Sequence, residues 1–128
     1  MNMTNDIRLL LVDDEKDFLE VTGKRLARRG FSVKIALTCR EAQNILEHDW
    51  PEVVVLDVML PDMNGIQFLK EIKQKWPKLP VILLSGHASV QSGIKGIECG
   101  AYDYCLKPVD LEELIERVNI AYKEGRAE

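Results

Sequence analysis

A chain of 128 residues holds one domain, with enough length to bury a core without disulfides or structural metals. Its 46% hydrophobic and 30% charged residues exclude a disordered or fibrous polypeptide, and a net charge of −4 with scattered lysines and arginines leaves no electrostatic footprint for nucleic acid. No run approaches the roughly 18 apolar residues of a membrane span, and Cys39, Cys99 and Cys105 fit neither a disulfide framework nor a CxxC metal pattern, so a reducing cytoplasm is expected.

Residues 7–12 (IRLLLV) are apolar enough for a strand buried on both faces, and they end on Asp13 and Asp14. A helix follows with Phe18, Val21, Thr22 and Leu26 on its inner face and Gly30 as its stop. Residues 31–36 (FSVKIA) alternate apolar and polar, as a strand near the sheet edge does. Thr38 and Glu41 form a capping box for a second helix, which buries Ala42, Ile45 and Leu46 and is ended by Pro51. Val53–Asp57 (VVVLD) is the most strongly β-branched run and closes on a carboxylate. Pro61, Asp62, Asn64 and Gly65 then make a turn into a third helix, with Ile66, Leu69, Ile72 and Trp76 inward and a halt before Pro77.

Val81–Ser85 (VILLS) is a fourth apolar strand, ending in a hydroxyl. Val90, Ile94 and Ile97 mark a fourth helix, weakened by Gly93 and Gly96 at about 1 kcal/mol each. Residues 102–106 form a short fifth strand leading to Lys107-Pro108. Asp110 and Glu113 cap the last helix, whose buried face is Leu111, Leu114, Ile115, Val118 and Tyr122. The four lysines at 70, 73, 75 and 78 sit at helical spacing among apolar residues and read as a solvated face.

Five alternations of strand and helix with short connections predict an α/β fold: a doubly wound, five-stranded parallel sheet in the flavodoxin-like order 2-1-3-4-5. Its switch point lies beside strands 1 and 3, the two that end in Asp13-Asp14 and Asp57. Ligands in such sheets bind outside the carboxyl ends of the strands. Asp13, Asp14, Asp57, Ser85 and Lys107 would therefore gather at one edge.

Two carboxylates about 5 Å apart repel by roughly 3 kcal/mol at an effective dielectric near 20. A divalent cation and a lysine would relieve this, and hard oxygen ligands with an incomplete protein shell suit Mg²⁺. Lys107 would place its ammonium opposite Asp57, and Ser85 would offer a donor to an oxygen anion. These are the parts that move a phosphoryl group. Strand-end aspartates, a turn serine and a surface lysine are each ordinary; their convergence in strand order is not.

The motifs LLVDDE, VVVLDVMLPDMNG, LLSG and GAYDYCLKP resemble those of response-regulator receiver domains of two-component signalling, of the chemotaxis-regulator type. The resemblance covers nearly the whole chain, a single domain over 1–128 with its core at about 7–122. It implies that Asp57 accepts a phosphoryl group from a phosphohistidine on a sensor histidine kinase or phosphotransfer protein. It further implies Mg²⁺ (or Mn²⁺) at Asp13, Asp14, Asp57 and the backbone carbonyl of Met59, and phosphoryl binding by Lys107 before a cis peptide at Pro108. Ser85 and Tyr104 would be the switch pair. Met59 and His87 occupy positions that tune phosphate lifetime in the family. The switched surface would be the face of the fourth helix, fifth strand and fifth helix, which binds an output domain or partner or forms a homodimer. Glu112, Glu113, Glu116 and Arg117 are its candidate polar contacts.

Such a domain is not an enzyme in the ordinary sense, since it catalyses only its own phosphorylation and dephosphorylation. The competing reading is a degenerate receiver used as a phosphorylation-independent scaffold. Its mark would be loss of the acidic pair, Asp57 or Lys107, and all are present. A flavin or nucleotide binder on the same fold lacks any GxGxxG or P-loop turn, and the acidic loop after the first strand would repel phosphate without a metal. Cys99 and Cys105 read as packing residues.

Overall fold

A computed structural model describes residues 6–86 and 90–125. Strands β1 (Arg8–Val12), β2 (Ser32–Ala36), β3 (Val53–Asp57), β4 (Val81–Ser85) and β5 (Asp103–Leu106) alternate with helices α1 (Lys16–Arg28), α2 (Cys39–Leu46), α3 (Gly65–Lys75), α4 (Val90–Glu98) and α5 (Leu111–Ile120). All strand pairs are parallel and the sheet order is β2-β1-β3-β4-β5, as the alternation predicts. The chain winds outward from β1 to β2, then returns to the other side of β1 with β3. The crevice between β1 and β3 is the switch point.

The central strands are buried on both faces because they carry apolar residues at consecutive positions. Their alternation divides them between two cores. Leu9, Leu11, Val53, Val55, Ile82 and Leu84 meet Leu19 and Leu26 of α1 and Leu114, Ile115 and Val118 of α5. Leu10, Val12, Val54, Leu56, Val81 and Leu83 meet Ala42 and Leu46 of α2 and Phe68, Leu69 and Ile72 of α3. At the edge, β2 leaves Lys34 and Ile35 exposed.

Two helix faces depart from the sequence expectation, and α4 packs through a glycine. In α1, Leu19, Thr22, Gly23 and Leu26 face inward, and Val21 is 53% exposed. Gly23 is itself on the inward face, where a Cβ would meet Val33 and Ile35 of β2 at ordinary contact distance. In α3, Phe68 joins Leu69 and Ile72 inside, while Trp76 is a half-buried C-cap whose indole donates to Asp49 at 3.0 Å. In α4, Ile94 and Ile97 point outward and Gly96 lies against Leu83 too closely to admit a Cβ. Gly96 is thus a close-packing position and not merely a weak one.

The ends of elements follow their caps. Thr38 accepts from the Glu41 amide at 3.1 Å, and the Glu41 carboxylate reaches the Leu37 amide at 2.9 Å, one residue before the cap. Asn64 and Asp110 cap α3 and α5 in the same way. Beyond Ile120 the chain continues into a π-helical turn, Ala121–Gly125.

Candidate functional site

Backbone bonds between strand ends fix the site. The amide of Asp13 donates to Ala36, that of Val58 to Leu84, and that of Lys107 to Ser85. Residues just past β1, at the end of β3, at the end of β4 and just past β5 therefore lie on one rim. Asp13 and Ser85 are fully buried, Asp57 is 4% exposed, and Asp14 is exposed. One oxygen from each of Asp13, Asp14 and Asp57 lies within 4.8 Å of the others.

The loop after β3 is tightly held. The Met59 amide donates to Asp57 at 3.3 Å, Met59 and Asn64 form an antiparallel bridge, and the Gly65 amide donates to Val58 at 2.8 Å. A Cβ on Gly65 would collide with the carbonyl of Asp57 and the Cα of Val58, so only glycine fits beneath the acceptor. The Asp62 carboxylate takes the amides of Cys39 and Arg40 at 2.9 and 3.1 Å, tying this loop to the first turn of α2. Those two donors hold its carboxyl below the usual range.

Lys107 precedes a cis proline, as the resemblance implies, and its ammonium sits among three carboxylates. It is 2.6 Å from Asp13, 2.9 Å from Glu15 and 3.5 Å from Asp57, with the Phe18 ring centroid at 5.0 Å. Its tightest partner is thus Asp13 rather than Asp57. Burial pushes the Asp57 carboxyl up to about 6, helped by the charge of Asp13 and opposed by Lys107. Asp13 is raised by burial too, against the lysine. Burial pulls the Lys107 ammonium down, but Asp13 and Glu15 outweigh it and its pKa ends raised. Two buried acids, Asp13 and Asp57, with the exposed Asp14 and Glu15 beside them and one lysine among them, leave the cluster short of positive charge.

The donor set fits a divalent cation. All the ligand atoms are hard oxygens, and Asp13 Oδ2 is buried without a well-formed hydrogen bond even though the ammonium is 2.6 Å away.

Tyr104 is half-buried against the α3 core, in register with Leu83, while Ser85 pairs with Leu106 two residues further on. His87 lies outside the described residues. The buried thiols of Cys39 and Cys105 are pushed up to about 12 and about 11 by burial, which keeps them protonated and unreactive. Of the expected polar contacts on α5, Glu112 is clamped by Arg29 at 2.6 and 3.0 Å. Arg117 is held by Asp103 at 2.6 Å and by Glu113 at 3.0 Å.

Sequence reasoning missed Glu15; it placed Phe18 on the inner face of α1, where the ring does pack against the core, but did not place it beside Lys107. Glu15 follows the acidic pair directly, and Phe18 lies one helical turn on. Their closeness to Lys107 depends on where β5 ends, which the local pattern around residue 15 does not carry.

Among the described residues no helix is long and apolar enough to cross a membrane. Residues 9–119 match the family model for the response regulator receiver domain. The chain is 38% identical over 112 residues to the regulatory protein AtoC of Escherichia coli, covering 88% of this chain and 24% of that protein. It is 37% identical over 112 residues to the response regulator MprA of Mycolicibacterium vanbaalenii, covering 88% and 48%. The chain therefore spans between a quarter and about half of these relatives. Among solved structures, the receiver domain of Francisella response regulator 1452 superposes with a TM-score of 0.85 at 33% identity, covering 91% of this chain and 97% of that one. NtrX from Brucella abortus superposes with a TM-score of 0.91 at 30% identity, covering 96% and 28%.

Proposed function

The chain belongs to the response regulator receiver domain family, and from that premise we propose that it is a cytoplasmic phosphoacceptor whose acceptor is Asp57. The observation that carries the reading is the rim itself: a buried carboxylate at the switch point, two further aspartates within 4.8 Å, and a lysine ammonium 3.5 Å away. One folded domain, with its core at about 7–122, does this work.

The donor is a phosphohistidine on a sensor histidine kinase or phosphotransfer protein. An Asp57 oxygen attacks phosphorus, the P–N bond breaks, and the imidazole nitrogen keeps the electron pair and takes a proton from solvent. Asp13, Asp14, Asp57 and the Met59 carbonyl would hold Mg²⁺ or Mn²⁺, which when bound offsets charge on the phosphoryl oxygens. Lys107 moves its ammonium toward those oxygens, and the Ser85 hydroxyl donates to one of them. Water later cleaves the acyl phosphate and restores the carboxylate. The chain thus catalyses only its own phosphorylation and dephosphorylation.

The output is a changed surface. Ser85 moving to the phosphoryl group opens room for Tyr104 to change rotamer, and α4, between them in sequence, shifts with it. The α4–β5–α5 face then binds an output domain or partner, or a second copy of the chain.

The test is intact mass after incubation with phosphoramidate and Mg²⁺, with Asp57→Asn alongside. One phosphate adduct that needs Mg²⁺ and vanishes in the variant is expected. No adduct, under conditions that label another receiver, would refute the proposal in favour of the phosphorylation-independent scaffold.

A further inference from the structure

Glu15 is the N-cap of α1, a position from which the shorter side chain of Asp, Asn, Ser or Thr would accept from a first-turn amide. It makes no such bond. Its carboxylate instead accepts from Lys107 at 2.9 Å, across 92 residues of sequence, while its own amide donates to Asp13 Oδ1 at 3.0 Å. The first turn of α1 thus goes without a side-chain cap from Glu15, whose carboxylate lies at the lysine.

Competition among the lysine's partners gives this a consequence. Asp13 is the nearest, at 2.6 Å, yet it is also among the acids that would hold a divalent cation. A cation there would compete with Lys107 for Asp13. Glu15 lies outside the cluster of three aspartates and keeps its grip. The Phe18 ring at 5.0 Å adds an attraction for the ammonium but no direction.

We propose that Glu15 is a positioning residue for Lys107: it holds the ammonium at the rim while a cation engages Asp13, and it competes with the phosphoryl oxygens for that ammonium. The proposal rests on the phosphoacceptor reading of the site. It assigns Glu15 a restraint on the reaction, so removing its grip speeds phosphorylation.

The test pairs two variants. Glu15→Gln removes the charge. Glu15→Asp keeps the charge but shortens the reach, and an aspartate at an N-cap turns to the α1 amides. The first readout is the ¹⁵N-resolved signal of the Lys107 ammonium in Mg²⁺-loaded protein, which is sharp only when the group is held. It is expected to persist in the wild type and to broaden away in both variants. The second is thermal unfolding, where Glu15→Asp should gain about 3 °C from its new cap. The third is the rate with phosphoramidate, expected to rise about three-fold in both variants, the scale of one partly exposed ion pair. Asp17→Asn, on the exposed first turn of α1, controls for charge alone. Unchanged Lys107 signals in both variants would overturn the role of Glu15, as would an equal acceleration in Asp17→Asn. A wild-type chain that takes no label overturns the phosphoacceptor reading instead and leaves the ammonium signals to decide the role of Glu15.

Discussion

Replacing Asp57 by Asn should stabilise the metal-free protein, and the gain should depend on pH. Folding raises this carboxyl from 3.8 to about 6, burial first and the Asp13 charge second, and the group is 4% exposed, so solvent screening is slight. Between those two values the native state binds more protons than the unfolded chain. Wild-type stability therefore falls as pH rises through that window and levels off above it. A rise from 3.8 to about 6 corresponds to about 3 kcal/mol. Asparagine has the same shape and does not ionise. Asp57→Asn should thus be more stable by about 3 kcal/mol at pH 8, about half of that at pH 5, and little at pH 4. Urea unfolding in EDTA at four pH values, wild type beside variant, measures the difference directly. A variant no more stable than the wild type at pH 8, or a gain that stays constant down to pH 5, would refute the claim that the site holds a frustrated charge.

Other expectations concern the frame around that charge. Mg²⁺ should raise the wild-type melting temperature, by the equivalent of about 2.7 kcal/mol at a hundred-fold excess over its Kd, with chelation reversing it; Asp13→Asn should abolish the shift, and an equal shift in that variant would exclude Asp13 as a ligand. Gly65→Ala drives a Cβ into the backbone of Asp57 and Val58 and should cost about 2–3 kcal/mol in urea unfolding. Asp62→Ala leaves the amides of Cys39 and Arg40 without their acceptor and should cost about 1 kcal/mol, with faster amide exchange in the first turn of α2. Helix α4, with two glycines in nine residues, should show the lowest amide-exchange protection of the five helices, and uniform protection would defeat that expectation.

The fold was legible because its three central strands are continuous apolar runs separated by helical periods, a pattern that parallel sheets with both faces covered require. Helix rotation was less legible, for a specific reason. Periodicity counts apolar side chains, whereas Gly23 and Gly96 mark inward faces by having none. Val21 consequently looked buried and is not. The strand-end acids, Ser85 and Lys107 come together on the predicted rim, since strand order alone decides where a strand ends in space. The pairing within the rim was beyond the sequence: whether Lys107 turns to Asp57, Asp13 or Glu15 is settled by ångström differences among carboxylates that all attract it.

The face proposed for output shows how pairing changes a surface reading. Of the candidate polar contacts Glu112, Glu113, Glu116 and Arg117, Glu112 is clamped by Arg29 while Arg117 joins Glu113 to Asp103 on β5. A partner that recruits these charges must first displace an existing ion, so the net gain from each contact is small. Beside them, Ile94 at 52%, Ile97 at 43% and Leu106 at 43% exposure have no such competitor. Covering them removes apolar surface from water, at about 25 cal/mol per Å². If this face binds a partner, its affinity would therefore come from α4 and β5, the elements nearest the proposed switch pair. The ion pairs of α5 would then set its orientation, since a partner docked in the wrong register would leave their charges opposed or buried.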